Sequence, residues 1–177
     1  PPGRYSMLSA RVIPTDGADT EFADLRSAYD ALDARTRTTI EGLRAHHSIA
    51  YSRQTLGFEL SAEEEDQLKG AVHPLVRTNP RTGRRSLYLA SHASRIIDWP
   101  VPEGRLLLRD LTEHATRSQF VYRHVWRQAD LVIWDNAQLL HCAERLERAA
   151  DADMRRIMHR VSVRGWPARV AERGSAA

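Results

Sequence analysis

A mainly β protein, a sandwich or barrel with helical insertions, is the fold class this sequence predicts. Two observations carry the prediction. Short runs rich in β-forming residues outnumber helical patterns, and Pro, Gly, Asn and Asp clusters punctuate them. The helical patterns fall early and in the middle of the chain and do not alternate with strands, which argues against a βαβ array. At 177 residues the chain suits one domain, read here as spanning 1–177.

The elements follow in order. Tyr5–Ile13 is apolar and strand-like, and Pro14–Gly17 (PTDG) is a turn. From Glu21 to Leu32, Phe22, Leu25, Ala28, Tyr29 and Leu32 recur at helical spacing. Asp33 reads as the N-cap of a second helix, Ala34–Leu43. Ser48–Tyr51 reads as a strand. Residues 56–70, with Glu63-Glu64-Glu65-Asp66, read as a mobile surface loop that could serve an enzyme as a lid. His73–Thr78 and Ser86–Ala90 flank Asn79–Arg84 and read as a β-hairpin. Pro102–Ala115 reads as a helix with Leu106, Leu107, Leu111 and His114 near one face. Strands follow at Gln119–Trp126, Asp130–Trp134, Leu139–Ala143 and Arg156–Val163. The chain shows no internal repeat and no linker.

Composition narrows the function. The chain is 42% hydrophobic and 28% charged, ordinary for a globular protein. No apolar run reaches the roughly 18 residues that cross a bilayer, so no membrane partner is expected. The N-terminus lacks the apolar segment of a secretory signal. Cys142 stands alone, which rules out an internal disulfide and fits a cytoplasmic protein. Positive charge comes almost wholly from arginine, suited to fork-like binding of carboxylates and related anions. These arginines are scattered among Asp and Glu instead of forming a basic face with interleaved aromatics. That argues against nucleic acid as a partner.

Chemistry concentrates in the last third of the chain. His141 ends a short strand, and on residue type alone it is either a metal ligand or a hydrogen-bonded structural histidine. Arg156 and Arg160 fall in a stretch of β-formers. In a strand, residues 156, 158 and 160 share one face. Two guanidinium groups on one wall either bind an anion or lie solvated on an exposed face.

The order of these segments resembles the TauD/TfdA family of Fe(II)- and 2-oxoglutarate-dependent dioxygenases. Gly17-Ala18-Asp19-Thr20 matches the family's Gly-Gly-Asp-Thr turn, with alanine in place of one glycine. Ala28–Leu32 matches the following helix, and His73–Thr78 with Gly83-Arg84 matches a hairpin. Trp134-Asp135-Asn136 followed by His141, and Arg155–Arg160, match the last two strand motifs. Arg4–Ala10 and Phe120–His124 are closer to the phenoxyacetate branch than to the taurine branch.

The resemblance implies a double-stranded β-helix, or jelly roll, that binds Fe(II), 2-oxoglutarate and O2. It implies hydroxylation of a small anionic substrate, phenoxyacetate-, sulfonate- or sulfate-like, with release of succinate and CO2. His141 would be one histidine of a 2-His-1-carboxylate triad. Arg156 and Thr20 would hold the far carboxylate of 2-oxoglutarate, and Arg160 the anionic group of the substrate. Trp134 would pack behind the metal site. Asp135 and Asn136 would fix the turn before His141, and self-association as a homo-oligomer would be in keeping. Cys142 reads as a small packing residue. The family's His-x-Asp or His-x-Glu motif, which supplies the other two ligands, occurs nowhere in the 177 residues. The chain is therefore read as the fold with its N-terminal portion missing, and these residues alone are expected to be inactive. The alternative reading is a catalytically inactive jelly roll that binds a small anion or scaffolds an oligomer.

Overall fold

The computed structural model describes residues 3–14, 18–61, 63–64, 68, 70–144 and 155–164. Residues 15–17 of the expected turn and most of the stretch between His141 and Arg155 lie outside them, as does part of the acidic run. Contacts divide the chain into two units. One comprises Pro1–Ala18, Trp126–Ala137 and Leu146–Ala177; the other comprises Asp19–Val125 and Gln138–Arg145.

In the first unit, β1 (Gly3–Val12) is the middle strand of an antiparallel sheet. It lies between β11 (Ile157–Arg164) and β9 (Leu131–Asp135). Register sorts the side chains onto two faces, because directly opposed residues project the same way. Ser6 pairs with Ser162 and Trp134, Leu8 with Arg160 and Val132, and Ala10 with Met158. This face carries the buried Ser6, Ala10 and Trp134.

In the second unit, β2 (Thr20–Asp24) lies between β10 (Leu139–Ala143) and β8 (Val121–His124), antiparallel to both. The expected helix over Glu21–Leu32 is therefore corrected. Residues 20–24 form a strand, and the helix is α1 (Leu25–Asp30). Phe22 satisfies helical spacing with Leu25, but pairing with two neighbours fixes it as strand. Asp24 makes the switch: its carboxylate accepts from the Arg26 backbone N–H at 2.9 Å and starts the helix. Asp33 caps α2 (Ala34–Ile40) as expected, accepting from the Thr36 N–H at 2.8 Å. That helix stops at Ile40, three residues early, where Gly42 turns the chain with φ +75°.

The strand expected at Ser48–Tyr51 is also corrected. The strand is β3 (Arg44–His47), and Ser48 caps α3 (Ile49–Thr55) through its hydroxyl and the Tyr51 N–H, 3.2 Å. β3 pairs with β4 (Ala71–Pro74) on one side and β7 (Ala93–Ile96) on the other. The hairpin is found: β5 (Val76–Thr78) pairs with β6 (Arg85–Leu87), and Gly83 takes φ +69° in the turn. Gln119 and Phe120, read as the start of a strand, belong to a short 3-10 turn (Ser118–Phe120) that leads into β8.

The long helix is α4 (Val101–Ala115), as expected, but its buried positions are Gly104, Leu108, Leu111 and Ala115. Leu106 is half-exposed. The helix packs on the core made by Leu25, Ile40, Leu75, Leu87, Ile96 and Leu108. His114 ties it to α1, its Nε2 lying 2.9 Å from the Ala28 carbonyl oxygen.

One glycine position is sharply constrained. Gly70 has φ +78°, and a Cβ there would collide with the carbonyl oxygen of His47. Gly70→Ala should destabilise the protein by about 2 kcal/mol or more, because strained backbone and a backbone clash add. Urea denaturation measures this; a variant as stable as the parent would contradict the assignment.

Candidate functional site

In the second unit, β2 and β10 bring two of the expected site residues onto one sheet face. His141 stands directly opposite Phe22, and Thr20 opposite Ala143. Alternation then sets His141, Phe22 and Thr20 on the same side. The Phe22 and His141 rings stack with centroids 6.4 Å apart. Thr20 is 2% exposed, so its hydroxyl is fixed within the fold and not on the surface. Cys142 projects the other way and is exposed, which corrects its reading as a packing residue.

The end of this sheet is clamped by a residue that sequence reasoning did not single out. Arg123 on β8 donates from Nε to the Asp19 carboxylate at 2.8 Å and from Nη2 to both Glu144 oxygens at 3.0 and 3.1 Å. The Glu144 N–H donates to the Asp19 carbonyl at 2.8 Å. Asp19 precedes Thr20 and Glu144 follows Ala143, so the clamp holds three strand ends beside Thr20. The Asp19 hydrogen bond, with Glu144 nearby, raises the guanidinium pKa. No spacing rule links Asp19, Arg123 and Glu144, which are distant in sequence.

The first unit holds the other expected residues. Trp134 is buried, and its indole N–H donates to Asn136 Oδ1 at 2.9 Å. Asn136 in turn donates from Nδ2 to Ser6 Oγ at 2.9 Å, joining the end of β9 to β1. Asp135 fixes the turn by accepting from the Ala137 N–H at 2.8 Å. Arg160 is exposed on β11, on the face shared with Met158 and Trp134.

Arg156 sits just before β11, with its guanidinium carbon 6.0 Å from the Trp126 ring centroid. Its Nε and Nη2 are buried, with no hydrogen-bond partner among the described residues. Burial also pulls its pKa below the usual arginine value. An unpaired buried guanidinium is costly, and a bidentate carboxylate is the ligand that would relieve it. The residues here therefore fit a carboxylate-bearing co-substrate. A metal is less fully provided for. Among the described residues no group of three His, Cys, Asp or Glu could hold one, so His141 can be at most one ligand of a triad.

Ala18 explains a detail of the turn before Thr20. It has φ +66°, a conformation that glycine adopts without strain and alanine does not.

A second titratable cluster lies in β3, β4 and the loops near them, unforeseen from sequence. The His47 ring is 5.4 Å from His73, 5.2 Å from Tyr88 and 5.1 Å from His92, centroid to centroid. Arg77 stacks 3.5 Å over the Tyr88 ring and reaches His73 Nδ1 at 3.2 Å. His47 is 5% exposed, and neither ring nitrogen has a hydrogen-bond partner among the described residues. Burial first, then the neighbouring His92, His73 and Arg77, lower its pKa to about 4. The adjacent His46 does different work, with Nδ1 2.9 Å from Ser94 Oγ.

Comparison with known proteins gives a consistent set of relatives. The family model described as "Taurine catabolism dioxygenase TauD, TfdA family" matches residues 1–162. The alpha-ketoglutarate-dependent 2,4-dichlorophenoxyacetate dioxygenase of Cupriavidus pinatubonensis is 47% identical over 157 residues, 88% of this chain and 55% of that protein. The (S)-phenoxypropionate/alpha-ketoglutarate-dioxygenase of Sphingobium herbicidovorans is 37% identical over 92% of this chain and 58% of its own. A crystal structure of AAD-2 in complex with Mn(II) and N-oxalylglycine superposes with a TM-score of 0.87 at 52% identity. It covers 93% of this chain and 64% of that one. The chain thus spans little more than half the length of the curated relatives it matches.

Proposed function

Because the chain belongs to the TauD, TfdA family, with the family's mainly β double-stranded β-helix, we propose that it serves as a 2-oxoglutarate-dependent dioxygenase using Fe(II). The substrate we propose is a small organic anion of the phenoxyacetate kind, with sulfonates and sulfates as further candidates. The observation that carries this reading is Arg156, whose buried Nε and Nη2 have no partner among the described residues.

The roles follow from the chemistry of each side chain. Arg156 binds the far carboxylate of 2-oxoglutarate through Nε and Nη2, a charge-assisted fork. Thr20 adds a hydroxyl donor to the same carboxylate. His141 would offer an imidazole nitrogen to the metal. Bound Fe(II), with 2-oxoglutarate and O2, supplies the oxidising power for hydroxylating a C–H bond. Arg160 pairs with the anionic group of the substrate and so orients the C–H bond to be attacked. Trp134 and Asn136 act one step back. Their hydrogen bonds to each other and to Ser6 lock the strand end that leads into the turn before His141.

The test is succinate release with 2-oxoglutarate and 2,4-dichlorophenoxyacetate, in the presence of Fe(II) and ascorbate. These 177 residues alone should give none, because one histidine holds Fe(II) poorly. The protein as it exists in the cell should give succinate in step with substrate loss. No turnover from it with any phenoxyacetate, sulfonate or sulfate would sink the reading.

A further inference from the structure

The register of β10, β2 and β8 sets six side chains on one face in two rows. His141, Phe22 and Tyr122 form one row, and Ala143, Thr20 and His124 the next. Directly opposed residues in antiparallel strands stand about 4.5–5.5 Å apart at Cβ, so His124 is the immediate side-chain neighbour of Thr20. On the same strand the Tyr122 hydroxyl lies 3.2 Å from His124 Nδ1, and the two rings are 6.1 Å apart. Phe22 and Ala143 are apolar, so Thr20, His124, Tyr122 and His141 are the polar groups of these two rows.

We propose that His124, held in place by Tyr122, is a further co-substrate-binding residue. It donates a hydrogen bond to the far carboxylate of a 2-oxo diacid beside the one from Thr20. This rests on the assignment of Thr20 above and adds to it. In the tautomer in which the Tyr122 phenol donates to Nδ1, the imidazole proton sits on Nε2, which is then the donor. A carboxylate has about four lone-pair sites, and the single hydroxyl proton of Thr20 fills one. An imidazole N–H on the adjoining strand suits a second. Tyr122 sets the tautomer and ring angle, as the hydrogen bond on the other nitrogen of a histidine commonly does.

The experiment uses the protein as it exists in the cell, loaded with Mn(II), and calorimetric titration by N-oxalylglycine, a diacid, and by pyruvate, a 2-oxo monoacid. His124→Phe should weaken N-oxalylglycine about tenfold, the loss of one hydrogen bond, and leave pyruvate unchanged. His124→Gln, which keeps a donor, should restore most of the loss. Tyr122→Phe should weaken only the diacid, about threefold, and this exposed position provides the test should His124→Phe fail to fold. Equal losses for both acids, or none, would overturn the proposal, since a merely structural histidine would not discriminate between them. If Thr20→Val loses the diacid while His124→Phe binds like the parent, this inference alone fails. If Thr20→Val and Arg156→Ala also bind like the parent, the underlying assignment fails with it.

Discussion

Replacing Arg156 with methionine should make the ligand-free protein more stable while removing its capacity for 2-oxoglutarate. The two effects have one cause. Nε and Nη2 are buried and lack partners among the described residues, so the folded chain bears their desolvation without an anion in place. Trp126 at 6.0 Å offsets a small part of this. Methionine fills similar space without charge, and about 1–2 kcal/mol of stabilisation is expected. With co-substrate present the balance reverses. Removing one member of a buried charge pair costs about 2–5 kcal/mol, or roughly 30-fold to several thousand-fold in affinity. Thermal melts with and without N-oxalylglycine measure both halves. Arg160→Ala should instead leave co-substrate binding intact and raise the requirement for the anionic substrate. Equal effects of the two variants on both ligands would mean the arginines are wrongly assigned.

Acid should weaken the protein through its histidine cluster. His47 has its pKa lowered from 6.5 to about 4, chiefly by burial. The unfolded chain takes up a proton near 6.5, while the folded chain stays neutral there until about 4. Stability from this group is thus fully present above pH 6.5, falls as pH drops through the interval, and levels off below about 4. The shift is worth on the order of 3 kcal/mol across that window. His73 and His92 are lowered as well, both by burial first, and act in the same direction. His47→Phe keeps a ring against Tyr88, His73 and His92 but cannot titrate. Its stability loss between pH 7 and pH 4.5, measured by urea denaturation, should be smaller by about that amount. Parallel losses in variant and parent would show that His47 is not the group responsible.

The candidate site residues were proposed from residue type in a fixed order, Trp134-Asp135-Asn136 before His141 and Arg156 before Arg160. The structure adds the Asp135 turn and the Trp134–Asn136 hydrogen bond beside them; their roles toward metal, co-substrate and substrate are proposals. The Arg123 clamp and the His47 cluster were not legible. Their members come from separate elements, and nothing in a linear spacing says that Asp19, Arg123 and Glu144 will meet. The doublet His46-His47 was a signal, but alternation along a strand sends its two rings to different neighbours.

The sequence by itself determined the family, the mainly β class and the elements whose signals are local. These include the Asp33 cap, the Pro/Gly hairpin turn, the long helix read from Pro102 and the strand Leu139–Ala143. Tertiary structure decided what local preference left ambiguous. Residues 21–24 were read into a helical pattern yet are strand, because pairing with β8 and β10 satisfies their backbone and the strand buries Thr20 and Phe22. Ser48 has strand-like neighbours yet caps a helix, because its hydroxyl takes the Tyr51 N–H once β3 has ended at His47. Propensities differ by tenths of a kcal/mol per residue, whereas a paired strand with a buried face gains several. Where the two conflict, the packed partner prevails.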